Sequence, residues 1–191
     1  MAKRTLFLAI FALASCSDPV RDGELGALPG ENPNAPVGEY HRAGQPCELC
    51  HGPGGPASGA SFAVAGTIFA QPQNAIGVDG ATVAFTDTTG STFTTTTDCV
   101  GNFFIPRPGS SVPGPTWDPQ FPIFVRVFKN GLSRTMQGQI GRERSCANCH
   151  NDPQPNTPQL YSSVGHVALY TASDTPPPYT NTCPVSPVVA P

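Results

Sequence analysis

The sequence predicts a mainly β protein: a small antiparallel Greek-key-like sandwich of six or seven strands with extended, proline-rich ends. Three observations carry that reading. Apolar residues between positions 62 and 139 recur at every second place, the period of a strand with one face buried. Tight-turn dipeptides, Asp79-Gly80 and Asn130-Gly131, punctuate those runs. And 23 prolines with 20 glycines in 191 residues leave little room for helix.

The elements follow in chain order. Met1-Ala2-Lys3-Arg4 and the apolar run 6–12 form a secretory signal over residues 1–15, too short to remain as a membrane-spanning helix. It ends in Leu13-Ala14-Ser15-Cys16, which resembles a bacterial lipobox, and the resemblance implies lipidation of Cys16. With Ser17 after that cysteine, the same resemblance implies passage to the outer membrane, on either its periplasmic or its surface face. Lipid is then the sole expected membrane anchor. Residues 16–40 carry Pro19, Pro29, Pro33 and Pro36 with no apolar period, and read as a disordered or polyproline-like tether.

Six strands are then expected. Phe62, Val64 and Ile68 mark the first; Ala81, Val83 and Phe85 the second; the threonine-rich run 91–97 the third. The fourth covers 102–105, the fifth 121–128 with Ile123, Val125 and Val127 on one face, and the sixth 132–139. A proline-rich insertion at 106–120 carries Trp117, residues 164–170 could supply a last strand, and 171–191 is a proline-rich tail. The mature chain 16–191 has 8 Lys+Arg against 13 Asp+Glu, a formal charge of −5, which excludes a nucleic-acid footprint.

The strands are flanked by two identical patterns, Cys47-Glu48-Leu49-Cys50-His51 and Cys146-Ala147-Asn148-Cys149-His150. C-x-x-C-H is the attachment signature of c-type haem. Each thiol forms a thioether with one haem vinyl group, and the histidine beside the second thiol ligates the iron. The sequence therefore predicts two c-type haems, held covalently by Cys47, Cys50, Cys146 and Cys149, in segments 41–60 and 146–170 around a sandwich at 61–145. A four-thiolate zinc site is the alternative; it needs reduced thiolates and leaves the trailing histidines without a role.

Two haems have four axial positions, and the chain has four histidines. His51 and His150 are proximal by motif; His41 and His166 are the expected distal ligands, with Met136 as competitor. Cys99 and Cys183 are left over once haem and lipid are assigned, an even pair in an oxidising compartment and a candidate disulfide. Arg42, Arg142 and Arg144 lie near the motifs and could pair with haem propionates or stand in solvent. An even strand count also predicts both motifs at one end of the sandwich and Cys99 at the other.

Two further resemblances enter here. Ala65-Gly66-Thr67-Ile68, 80–87, Thr96-Thr97-Asp98 and Gly101-Asn102-Phe103-Phe104 resemble the carboxypeptidase regulatory-like or transthyretin-like β-sandwich over residues 62–139, departing at the insertion 106–120. The resemblance implies the fold and is nearly silent on function. The layout, with His41-Arg42-Ala43-Gly44-Gln45-Pro46 before the first motif, resembles exported dihaem lipoproteins. The functional expectation is an electron-transfer protein of the periplasm or outer membrane with redox proteins as partners and no catalytic residues. A peroxidase-type dihaem enzyme and a β-sandwich binding module with haem as structural or sensing group are the alternatives.

Overall fold

The computed structural model describes residues 18–31, 38–151, 164–179 and 182–184. The expected leader 1–15 and the expected lipidation site Cys16 lie outside them. The chain divides into two compact units, 1–30 and 31–191. In the first, α1 (Pro19–Ala27) replaces part of the expected tether. Asp18 caps it by accepting the Arg21 N–H at 3.2 Å, and Pro19 opens it with a preset φ. Those start signals outweigh the weak apolar pattern, and α1 buries no residue.

The second unit holds six antiparallel strands in two sheets, the architecture of a small β-sandwich. They are β1 (Phe62–Thr67), β2 (Thr82–Thr86), β3 (Thr92–Thr96), β4 (Asn102–Pro106), β5 (Phe124–Lys129) and β6 (Leu132–Thr135). One sheet pairs β1 with β4; the other runs β3-β2-β5-β6. Alternation sets the faces. Val83 and Phe85 of β2 and Val125 and Val127 of β5 point inward, opposite each other in register. Phe124, Arg126 and Phe128 of β5 point out.

The insertion forms no strand. Its Trp117 turns back into the core, with its backbone N–H donating to the Pro106 carbonyl at 3.0 Å and its ring 6.0 Å from that of Phe85. Phe103 and Phe93 complete an aromatic cluster around it. Residues 164–170 make a short parallel contact rather than a full strand: Ala168 bridges Phe69, and the Leu169 N–H donates to the Phe69 carbonyl at 3.0 Å. Leu169 is buried completely by that docking.

β1 is the strand that matters for the rest. Five of its six residues are buried, whereas the other strands alternate or lie open. One side pairs with β4; along the other runs the chain just before Cys146, in a parallel bridge between Ala65 and Ser145. The two C-x-x-C-H segments therefore meet, but along the flank of β1 rather than at one end. The expectation for Cys99 is corrected with it. Its turn leads into Asn102, opposite Thr67, and the Asn102 side chain bonds the His41 carbonyl at 3.0 Å. The turn thus neighbours the start of the first segment, because residues 41–51 are long enough to run the length of β1 instead of clustering at its start.

Cys99 is disulfide-bonded to Cys183, 84 residues on, with Cα atoms 5.2 Å apart. In the same turn, burial pushes Asp98 from 3.8 up to about 6, against N–H bonds from Val100 and Asn102 and with Glu39 and Asp79 adding to the rise. A raised folded-state pKa means that the protonated form contributes stability below 3.8, and that this is lost as pH rises through about 6. Asp98→Asn keeps the acceptor and drops the charge. It should stabilise the protein by about 1–2 kcal/mol at pH 7.5, an advantage that vanishes by about pH 4; thermal melts across that range measure it.

Candidate haem-attachment site

The first segment is a single helical turn, α2 (Cys47–His51). Cys47 and Cys50, three residues apart, share one side of it. Gly52 ends it, donating its N–H to the Glu48 carbonyl at 2.8 Å. His51 stacks on Phe62, ring centres 4.3 Å apart, and its Nδ1 lies 2.8 Å from the Ala60 carbonyl. Burial, with the neighbouring His41, holds His51 below its ordinary pKa against that hydrogen bond. A lowered value keeps the ring neutral, as a metal ligand must be. The His41 ring centre stands 5.9 Å from that of His51. An ion held between two opposed imidazoles at about 2 Å from each nitrogen separates their centres by roughly 6 Å.

The second segment opens with a 3₁₀ turn, Cys146–Asn148, and continues to His150, whose N–H reaches the Cys146 carbonyl at 2.8 Å. Residues 164–166 fold onto it. The Val164 N–H donates to the Cys149 carbonyl at 3.2 Å, and His150 Nδ1 lies 2.9 Å from the Gly165 carbonyl. His166, the next residue, stacks on Phe69 at 4.0 Å with Nδ1 3.1 Å from the Asn74 carbonyl. His41 Nδ1 likewise faces a carbonyl, that of Gly38. All four histidines thus present Nδ1 to a backbone oxygen. That contact fixes the tautomer with the proton on Nδ1 and the lone pair on Nε2, the arrangement usual for histidines that ligate metal.

Three contacts lock the segments together. The Cys47 N–H donates to Ser145 Oγ at 3.1 Å across 98 residues of sequence. Glu48 Oε2 accepts from the Arg144 N–H and from Asn148 Nδ2, each at 3.4 Å. Gly66 of β1 leaves the space that Cys146 fills: a Cβ there would lie 2.8 Å from Cys146 Cβ and 2.9 Å from its sulfur.

The four motif cysteines are outside the disulfide. Among the described residues no group of three or more His, Cys, Asp or Glu side chains is placed to hold a bare metal ion. Met136 packs against the sandwich core. Arg144 is half-buried, 3.2 Å from the Ala63 carbonyl and 5.2 Å from the Phe121 ring. It lines an open cleft with Cys47, His51, Phe62 and Arg107. Burial and Arg107 lower its pKa. Arg42 bonds Gln45 instead, at 2.8 Å, and Arg142 is exposed. The roles of Arg107, Ser145, Glu48 and Asn102 escape sequence reasoning, since each depends on groups distant in sequence. No described helix is long and apolar enough to cross a membrane. In comparisons with family models, curated proteins and solved structures, nothing matches this chain.

Desolvation pushes the Cys47 thiol up to about 11 and that of Cys146 to about 12, although each residue keeps some exposed surface. Cys149 is exposed. In haem-free protein, iodoacetamide at pH 8 should therefore label Cys149 well before Cys47 and Cys146, because the thiolate is the nucleophile. Peptide mass mapping of a labelling time course reads the order; equal rates would contradict the desolvated placement.

Proposed function

We propose that this protein is a dihaem c-type cytochrome that transfers electrons, anchored in the cell envelope by lipid on Cys16. Cys47 and Cys50 would carry one haem, Cys146 and Cys149 the other, with His51 and His150 as proximal ligands. His41 and His166 would be the distal ligands. The observation that carries the reading is the common setting of the four histidines: each has Nδ1 on a backbone carbonyl, and the His41 ring centre lies 5.9 Å from that of His51. Sequence spacing alone supplies the thiols; it does not account for this shared tautomer.

Haem iron with both axial positions filled by imidazole exchanges single electrons and has no open place for substrate. The residues of this chain do the rest. The backbone carbonyls of Gly38, Ala60, Asn74 and Gly165 orient the rings. Phe62 and Phe69 cover one face of His51 and His166 and restrict water there. Arg107 and Arg144, two cations on one cleft beside His51, offer charge to a propionate. Ser145 and Glu48 keep the two segments in contact, which favours direct electron exchange between them. The surrounding sandwich supplies a rigid frame, and redox proteins of the envelope are the partners this reading implies.

Two measurements test it. Pyridine haemochrome analysis of purified protein should return two c-type haems per chain, resistant to denaturing electrophoresis; one or none, with zinc instead, would end the proposal. In the ferric optical and electron paramagnetic resonance spectra both irons should be low-spin. His166→Ala should convert one of them to high-spin and open it to carbon monoxide after reduction. An unchanged spectrum would remove His166 as a ligand.

A further inference from the structure

The loop that carries His41 is an unfavourable piece of backbone. Within seven residues, Gly38 (φ 118°), Arg42 (φ 53°) and Gly44 (φ 79°) all have positive φ. Only glycine adopts such angles readily, so the Arg42 conformation persists where the surroundings impose it. Two side chains of the sandwich do so. Asn102 Nδ2 donates to the His41 carbonyl at 3.0 Å, and Thr67 Oγ1 accepts the Gly44 N–H at 2.8 Å. The two are joined: Thr67 Oγ1 donates to Asn102 Oδ1 at 2.7 Å. That bond decides which way the Asn102 amide points, turning its NH2 towards His41. Thr67 is buried and lies opposite Asn102 in the β1–β4 register, and the Asn102 N–H is itself tied to Asp98 at 2.9 Å. The clamp is thus built from strand residues, the most rigid support available to a loop.

We propose that Thr67 and Asn102 are positioning residues for the first haem: they hold the 38–44 loop so that His41 stays opposite His51. The inference rests on the reading of His41 as the distal ligand and adds what keeps it there. Neither residue touches the ring. Each acts through the backbone of His41 or Gly44, so loss of the clamp lowers the fraction of time that His41 occupies the axial position without removing the ligand. The second haem, whose distal histidine is held by Asn74, is unaffected.

The test uses the intact, haem-loaded protein. Asn102→Asp is nearly isosteric and can still accept from Thr67, but a carboxylate cannot donate to the His41 carbonyl. Thr67→Val removes both hydroxyl bonds at constant shape, and Thr67→Ser restores them. His41→Ala marks the spectrum of the open first haem. Asn102→Asp and Thr67→Val, each of which removes one hydrogen bond to the 38–44 loop, should each shift the His41 on/off ratio by roughly 2- to 10-fold. This is read as a partial high-spin signal and faster carbon monoxide binding at one iron of two. Thr67→Ser should match the parent protein. If His41→Ala opens an iron while Asn102→Asp and Thr67→Val behave as the parent does, the clamp is refuted and the ligand reading stands. If His41→Ala changes nothing, both fall. Should Asn102→Asp fail to accumulate, the Thr67→Ser and Thr67→Val pair decides the matter, since a merely destabilising change would perturb both irons together.

Discussion

A hydrogen bond from the Ala65 N–H to the Arg144 carbonyl, 2.8 Å long, lays the end of the sandwich domain along the flank of its first strand. Everything at the site leans on that contact. It brings Ser145 under Cys47, sets Cys146 over Gly66, and turns β1 from an edge strand into one buried on both sides. An open strand edge is a liability in a small sheet. Here the edge is covered by the segment that carries the second C-x-x-C-H pattern, so closing the sheet and joining the two patterns are one event. The loop entropy of bringing together groups 98 residues apart falls on the β fold, not on the site.

The site itself combines dryness with polarity. Desolvation raises two thiols and lowers one imidazole, in each case favouring the neutral group. Against that, every histidine Nδ1 faces a backbone carbonyl, and no buried side-chain nitrogen or oxygen among the described residues lacks a partner. Rings held this way lose little freedom on accepting a ligand at Nε2, which is how a small protein gains affinity without extra contacts.

Most of the sandwich was legible because its signals are local. Period-two alternation with β-branched residues located all six strands, and Asn130-Gly131 placed the β5–β6 hairpin with both residues at positive φ. The C-x-x-C-H patterns are legible as patterns for the same reason: each lies within five residues. What was missed depends on distance in sequence. The insertion 106–120 reads as a poor strand and forms none, but that its Trp117 enters the core beside Phe85 is a contact no local signal encodes. The α1 start signals at Asp18 and Pro19 were present but lay in a stretch read as tether. The placement of the motifs along β1 followed from strand pairing, which parity arguments about strand ends do not capture. Asn102 was read as part of a turn signature; its bond to the His41 loop spans 61 residues, and no periodicity encodes it.

The Cys99–Cys183 disulfide draws an unequal line through the molecule. The second C-x-x-C-H segment lies inside the covalent ring it closes, and the first lies outside. A protease that nicks the backbone once between those cysteines leaves two pieces tethered through sulfur, and the second segment remains part of the same covalent body. A single nick between His51 and Phe62 severs the first segment from the rest of the chain, which then holds on by the non-covalent contacts of His41, Gly44, Cys47, Glu48 and His51 with β1 and its neighbours. The two halves of a symmetric-looking sequence therefore differ in resilience: one is guarded by a bond, the other by packing alone.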